Sequence, residues 1–184
     1  MHTGRVEDSW LAREDASQPV LVALYLRDAL GVVDVSGMPR LRGTGLPEVE
    51  PADMRTSWAW MRWWIPIVED DRPQFALLSD LDEDAGRAIG RHLDSARTWA
   101  GVAHQAYDER SVQRRDLTLT HAVREREEEL GRRARPFRLR IEVLPLAESG
   151  LWWIGENAIA VDEALRDEPM LYADALRPVV EQLA

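Results

Sequence analysis

The chain has no cysteine. That excludes a disulfide framework, a thiolate nucleophile and any zinc site built on cysteine, and it suits a reducing interior. Lysine is missing too, so all 23 basic residues are arginine, a bias expected from the base composition of a high-GC bacterial genome. Long apolar runs are missing as well: Val20–Leu26 and Trp63–Val68 are among the longest, far short of the ~20 residues that cross a bilayer. The opening "MHTGRVEDSWLAREDASQ" places acids where a signal peptide needs a basic start and an apolar run. A cytoplasmic protein is therefore expected.

Catalytic signatures are equally scarce. There is no HExxH, HxH or EF-hand spacing, no GxSxG elbow, and neither a GxGxxG nor a Walker pattern. No metal and no cofactor is expected. The Gly43-Thr44-Gly45 stretch is only a weak hint of a phosphate cradle. A net charge of −10 works against unaided binding to nucleic acid or to an anionic membrane.

What is present is a globular composition, 45% hydrophobic and 30% charged over 184 residues, enough for one domain with a real core. Residues 1–16 are polar and expected to be loosely ordered; 17–184 are expected to form a single globular domain. Charge is uneven along the chain: residues 108–140 carry ten arginines against seven acids, and the remainder carries −13. Such a strip could orient a partner, although mixed signs along a helix usually mean a solvated face.

Ser17, Pro19 and Gly31 are start and stop signals for a short helix, with β-branched Val20 and Val22 leaving a strand open. Residues 32–49 contain three glycines and two prolines and read as an irregular connection or lid. A helix is expected over about 51–62, then an extended "WWIPIV" because Pro66 disfavours helical geometry at Ile65. "QFALLSD" reads as a returning strand.

The clearest element is a long helix over about 82–108. Its stripe of Ala85, Ile89, His92, Ala96, Trp99, Ala103 and Ala106 repeats at steps of four and three. A second helix at about 116–134 carries Leu119, Val123 and Leu130. "FRLRIEVLPL", "LWWIG" and "AIAVD" then read as a three-stranded antiparallel meander whose first strand is half-buried. In the closing helix Asp167 is expected to cap, Leu171, Ala175, Val179 and Leu183 to line one face, and Pro178 to kink or break it. The fold expected is α+β: four to five helices, the long one central, packed on a small and mainly C-terminal antiparallel sheet.

Half of the eight tryptophans lie in "SWAWMRWWIPI". As a helix, this segment puts Met54, Trp58, Met61 and Ile65 on one face, with Trp60, Trp63, Trp64 and Ile67 over much of the rest. Only Arg55, Ala59 and Arg62 leave a polar strip. A segment apolar nearly all round is normally core, and each indole can bury ~150–250 Å². The next reading is a docking patch, since tryptophan and arginine dominate interface hot spots. A cationic-ligand cage and a membrane anchor, which "EDD" would repel, rank lower. Trp152 and Trp153 must point to opposite faces of a strand. The candidate interface is thus Trp58, Arg62, Trp63, Trp64, Trp152 and Trp153.

Of the histidines at 2, 92, 104 and 121, His92 lies on the buried stripe and His104 near its edge, and no one metal could bridge them within one helix. The paired acids Asp80/Asp82, Glu83/Asp84, Asp162/Glu163 and Asp167/Glu168 suit helix capping better than catalysis. Two functions stay open. One is a non-enzymatic cytoplasmic binding or accessory protein acting through a protein interface, for instance an immunity-like factor with a basic partner, or a homo-oligomer. The other is a small hydrolase or ligand-binding enzyme with a site beneath loop 32–49 that uses His92 or His104.

Overall fold

The computed structural model describes residues 9–33, 37–70, 83–112 and 117–184. In it the chain runs through β1 (Leu11–Asp15), α1 (Gln18–Leu30), α2 (Met54–Glu69), α3 (Glu83–Ser111) and α4 (Thr118–Leu130). It continues through β2 (Arg138–Leu144), β3 (Leu151–Gly155), β4 (Ala158–Asp162), α5 (Glu163–Arg166) and α6 (Pro169–Leu183). The expected strand "QFALLSD" lies outside the described residues. The α+β class stands, with six helices and a four-stranded sheet among the described residues.

Ser17 occupies the N-cap of α1 and Pro19 its first turn, while Gly31 ends the helix in the left-handed conformation at φ 70°. Residues 20–29 are all buried, as a helix apolar all round requires. Gly31 is doubly constrained. Besides its positive φ, a Cβ there would stand 2.2 Å from the Glu50 carbonyl oxygen. Gly31→Ala should therefore destabilise the fold by about 1–3 kcal/mol, read as a lower Tm in a thermal melt.

α3 extends the expected long helix by a turn, but it packs chiefly on α1 rather than on the sheet. Its Ile89, Ala96 and Ala100 are buried, and the two alanines let α1 approach. Trp99 finds its recess against Tyr25, ring centroids 5.7 Å apart, with its indole N–H donated to the Gly43 carbonyl at 3.1 Å.

α2 departs from expectation by running straight through Pro66. Asp53 caps it, accepting the Thr56 N–H at 2.7 Å. Proline inside a helix costs about 3 kcal/mol, yet continuing the helix buries Ile67 and Val68, each worth roughly 1.5–3 kcal/mol. Pro66 itself sits on the exposed side, where water can satisfy the carbonyl that loses its N–H. α6 likewise continues through Pro178, which is also exposed. Its buried face is Tyr172, Leu176, Val179 and Val180, one residue around from the expected stripe, so Leu171 faces solvent. Glu168, not Asp167, holds the N-cap position.

The sheet order is β1-β2-β4-β3, and it is mixed rather than antiparallel. β2 pairs in parallel with both β1 and β4, whereas only β3 and β4 form the expected antiparallel hairpin. The meander fails because the segment after β2 is carried across the end of β4. There the Leu146 N–H donates to Asp162 Oδ1 at 3.2 Å, and the Asp162 N–H to the Gly150 carbonyl at 3.0 Å. Residues 11–15, expected in a loosely ordered segment, form an edge strand; next to it Trp10 stacks on Phe137 at 5.8 Å.

β2 is the centre of the sheet and is covered on both sides, not half-buried. Alternation puts Leu139, Ile141 and Val143 on one face, where Ile141 meets Leu119 of α4 and Tyr172 of α6 around one small cavity. Arg140 and Glu142 take the other face, under α1 and α2. Burial of both faces is usual for parallel strands.

Candidate interaction surface

α2 resolves the tryptophan cluster into two parts. Trp60, Trp63 and Trp64 are buried with Ile67 and Val68. Trp60 stacks on Trp64 with centroids 5.2 Å apart and donates its indole N–H to the Ala23 carbonyl of α1 at 2.8 Å. This is core packing with its polar atom satisfied. Trp63 and Trp64, expected in the interface, are therefore withdrawn from it.

The opposite arc of α2 is open. Met54 is 76% exposed, Trp58 62% and Ile65 50%, aligned by their spacing of four and seven on one helical ridge. Arg55, Arg62 and Glu69, all exposed and seven residues apart, run beside that ridge. Of the expected interface residues, Trp58 and Arg62 lie here. Met54 and Ile65 were missed as site residues, although the i, i+4, i+7, i+11 spacing had placed them on the face of Trp58.

Trp152 and Trp153 sit on the edge strand β3, both half-buried, and α2 packs against that strand. Their neighbours across β4 are Ala160 and Ile159. The Trp152 ring folds back over Gly150, where a Cβ would come within 2.5 Å of it. Much of each indole is thus spent on the fold.

The residues considered for catalysis scatter. Beneath loop 37–50 lies an open groove of about 580 Å³. Its lining includes Arg27, Asp28, Arg40 and Glu48, but neither His92 nor His104. His104 instead sets Nδ1 against the Ala16 carbonyl at 2.8 Å, with Nε2 3.4 Å from Asp108; His92 is half-buried on α3. Arg27 donates to the Met38 and Pro39 carbonyls, and Asp28 accepts the Leu41 N–H at 2.7 Å. The buried charges of this groove hold the loop down.

In the Gly43-Thr44-Gly45 stretch, the Gly43 carbonyl takes the Trp99 indole and the Thr44 hydroxyl takes the Leu46 N–H, so these two acceptors serve the fold. Asp162 caps α5, accepting the Ala164 N–H, and with Glu163 it faces Arg42; Glu163 also pairs with Arg110. Among the described residues no group of three or more side chains could hold a metal, and no helix is long and apolar enough to cross a membrane. The basic strip is divided: Arg110, Arg126 and Arg133 pair with acids, and Arg140 is buried.

Compared with known proteins, the chain matches no family model, no curated protein and no solved structure.

Proposed function

We propose that this chain is a non-enzymatic cytoplasmic binding protein that acts through a protein interface centred on the outer face of α2. The observation that carries the reading is the exposure of Trp58 between Met54 and Ile65, beside Arg62, on a helix whose other tryptophans are already buried. Apolar side chains aligned on one ridge and rimmed by charge mark contact surfaces more often than chance exposure does. Tryptophan and arginine are also the side chains on which binding energy concentrates. The acidic body favours a basic partner at long range, while Arg62 calls for an acid close to Trp58.

Site-specific photo-crosslinking tests the reading. A photoreactive side chain at position 58 should give one saturable protein adduct in native extract, lost when Arg62→Glu is added. The same group at Val112, an exposed position just past the end of α3, should give none. Equal, non-saturable labelling from both positions would defeat the proposal.

A further inference from the structure

The polar face of β2 shows how the helices above it are fastened. Glu142 is fully buried. Its two carboxylate oxygens accept from a single residue, Ser17: the backbone N–H at 2.8 Å and the hydroxyl at 2.9 Å. Ser17 is the N-cap of α1, yet its side chain makes no cap hydrogen bond; the hydroxyl is committed to Glu142 instead. Two residues back along β2, Arg140 places Nε 3.3 Å from the same carboxylate. The Arg140 guanidinium also donates to the Val68 and Asp70 carbonyls at the end of α2. One buried carboxylate thus ties the start of α1 to the sheet, and through Arg140 it ties the end of α2.

We propose that Ser17, Glu142 and Arg140 form a proton-operated latch that sets how firmly the last turn of α2 is held to the sheet. When ionised, Glu142 accepts from both Ser17 donors and anchors Arg140. When it takes up a proton, the carboxyl becomes a donor and can meet the Ser17 hydroxyl only if that hydroxyl reverses its role. The hydroxyl proton is then free to leave Glu142, and Arg140 loses its anion while keeping its two carbonyls.

The surroundings favour protonation of Glu142. Burial raises the carboxyl above its ordinary range, and Asp15 on β1 adds to this; the Ser17 donors and Arg140 oppose it. From β4 the register neighbour is Ala160, which brings no charge. From α3, His104 is held on the Ala16 carbonyl next to Ser17, and the Tyr107 hydroxyl donates to Glu14 of β1. The α2 side brings the Val68 and Asp70 carbonyls, with the acids Glu69 and Asp70 at the same helix end. This device does not depend on what binds the outer face of α2, although it acts on the same helix.

NMR on the intact chain reads the latch. The Glu142 side-chain carbonyl carbon, assigned by Glu142→Gln, should titrate above the exposed carboxylates, and the Ser17 amide should co-titrate. Amide exchange at Val68, Glu69 and Asp70 should quicken several-fold as Glu142 protonates, with α6 amides unchanged. Ser17→Ala removes one donor to the ionised form and should shift the Glu142 midpoint upward. It keeps the test alive if Glu142→Gln does not fold. Titration of Glu142 together with the exposed acids, or α2-end amides indifferent to it, would overturn the latch.

Discussion

Trp60→Ala lowers stability by about 3–5 kcal/mol, while Trp58→Ala, two positions away, changes it by no more than about 0.5 kcal/mol. Trp60 is almost wholly inaccessible, stacks on Trp64 and gives its indole N–H to the Ala23 carbonyl. Truncation would leave a cavity between α1 and α2 and take from the Ala23 carbonyl the second donor it has beside its helical one. Trp58 projects from the other side of the helix with most of its ring in water, so little apolar burial is lost there. Urea unfolding of the two variants gives the comparison directly. A large loss from Trp58→Ala would mean that this ring is part of the core, and the proposed interface would lose its central residue.

Asp28→Ala should also cost about 3–5 kcal/mol, the usual result of breaking a buried ion pair from one side. Arg27 and Asp28 are both nearly inaccessible, 2.8 Å apart, and together they hold Met38, Pro39 and Leu41 of the following loop. Removing the carboxylate leaves a buried guanidinium without this anion and frees the Leu41 N–H. Burial raises the Asp28 carboxyl above its ordinary value of 3.8, against Arg27, the Leu41 N–H and Arg40. The folded state therefore holds this proton more tightly than the unfolded chain. Its contribution is complete below the unfolded value and is lost as pH rises through the folded one. Asp28→Asn keeps the shape without titrating, so its stability should fall less than that of the parent chain over that interval, as measured by urea midpoints.

Local signals were legible where the chain itself supplies the decision. Ser17, Pro19 and Gly31 bracket α1 because capping and positive φ are properties of single residues. The 3.6-residue period gave α3, alternation located β2, and the turn residues after it located β3 and β4. Where local rules failed, a distant group had overruled them. Pro66 and Pro178 should end helices, but the burial of Ile67 and Val68, or of Val179 and Val180, outweighs one lost hydrogen bond on a wet face. The alternation of β2 implied a solvated side, yet Ser17 and the α2 carbonyls satisfy Glu142 and Arg140 in the interior.

For the candidate surface, the sequence alone determined that four tryptophans crowd one amphipathic turn pattern and which of them share a face with Met54 and Ile65. It also excluded cysteine chemistry and the familiar catalytic motifs, because those depend on residue types and spacings visible in one dimension. Only the tertiary structure decided which face of α2 meets α1, and hence that Trp60, Trp63 and Trp64 are core while Trp58 is open. It also decided that β4, not β3, lies beside β2. The physical reason is the same in both cases: periodicity ranks the faces of an element, but which face loses its water depends on neighbours many residues away.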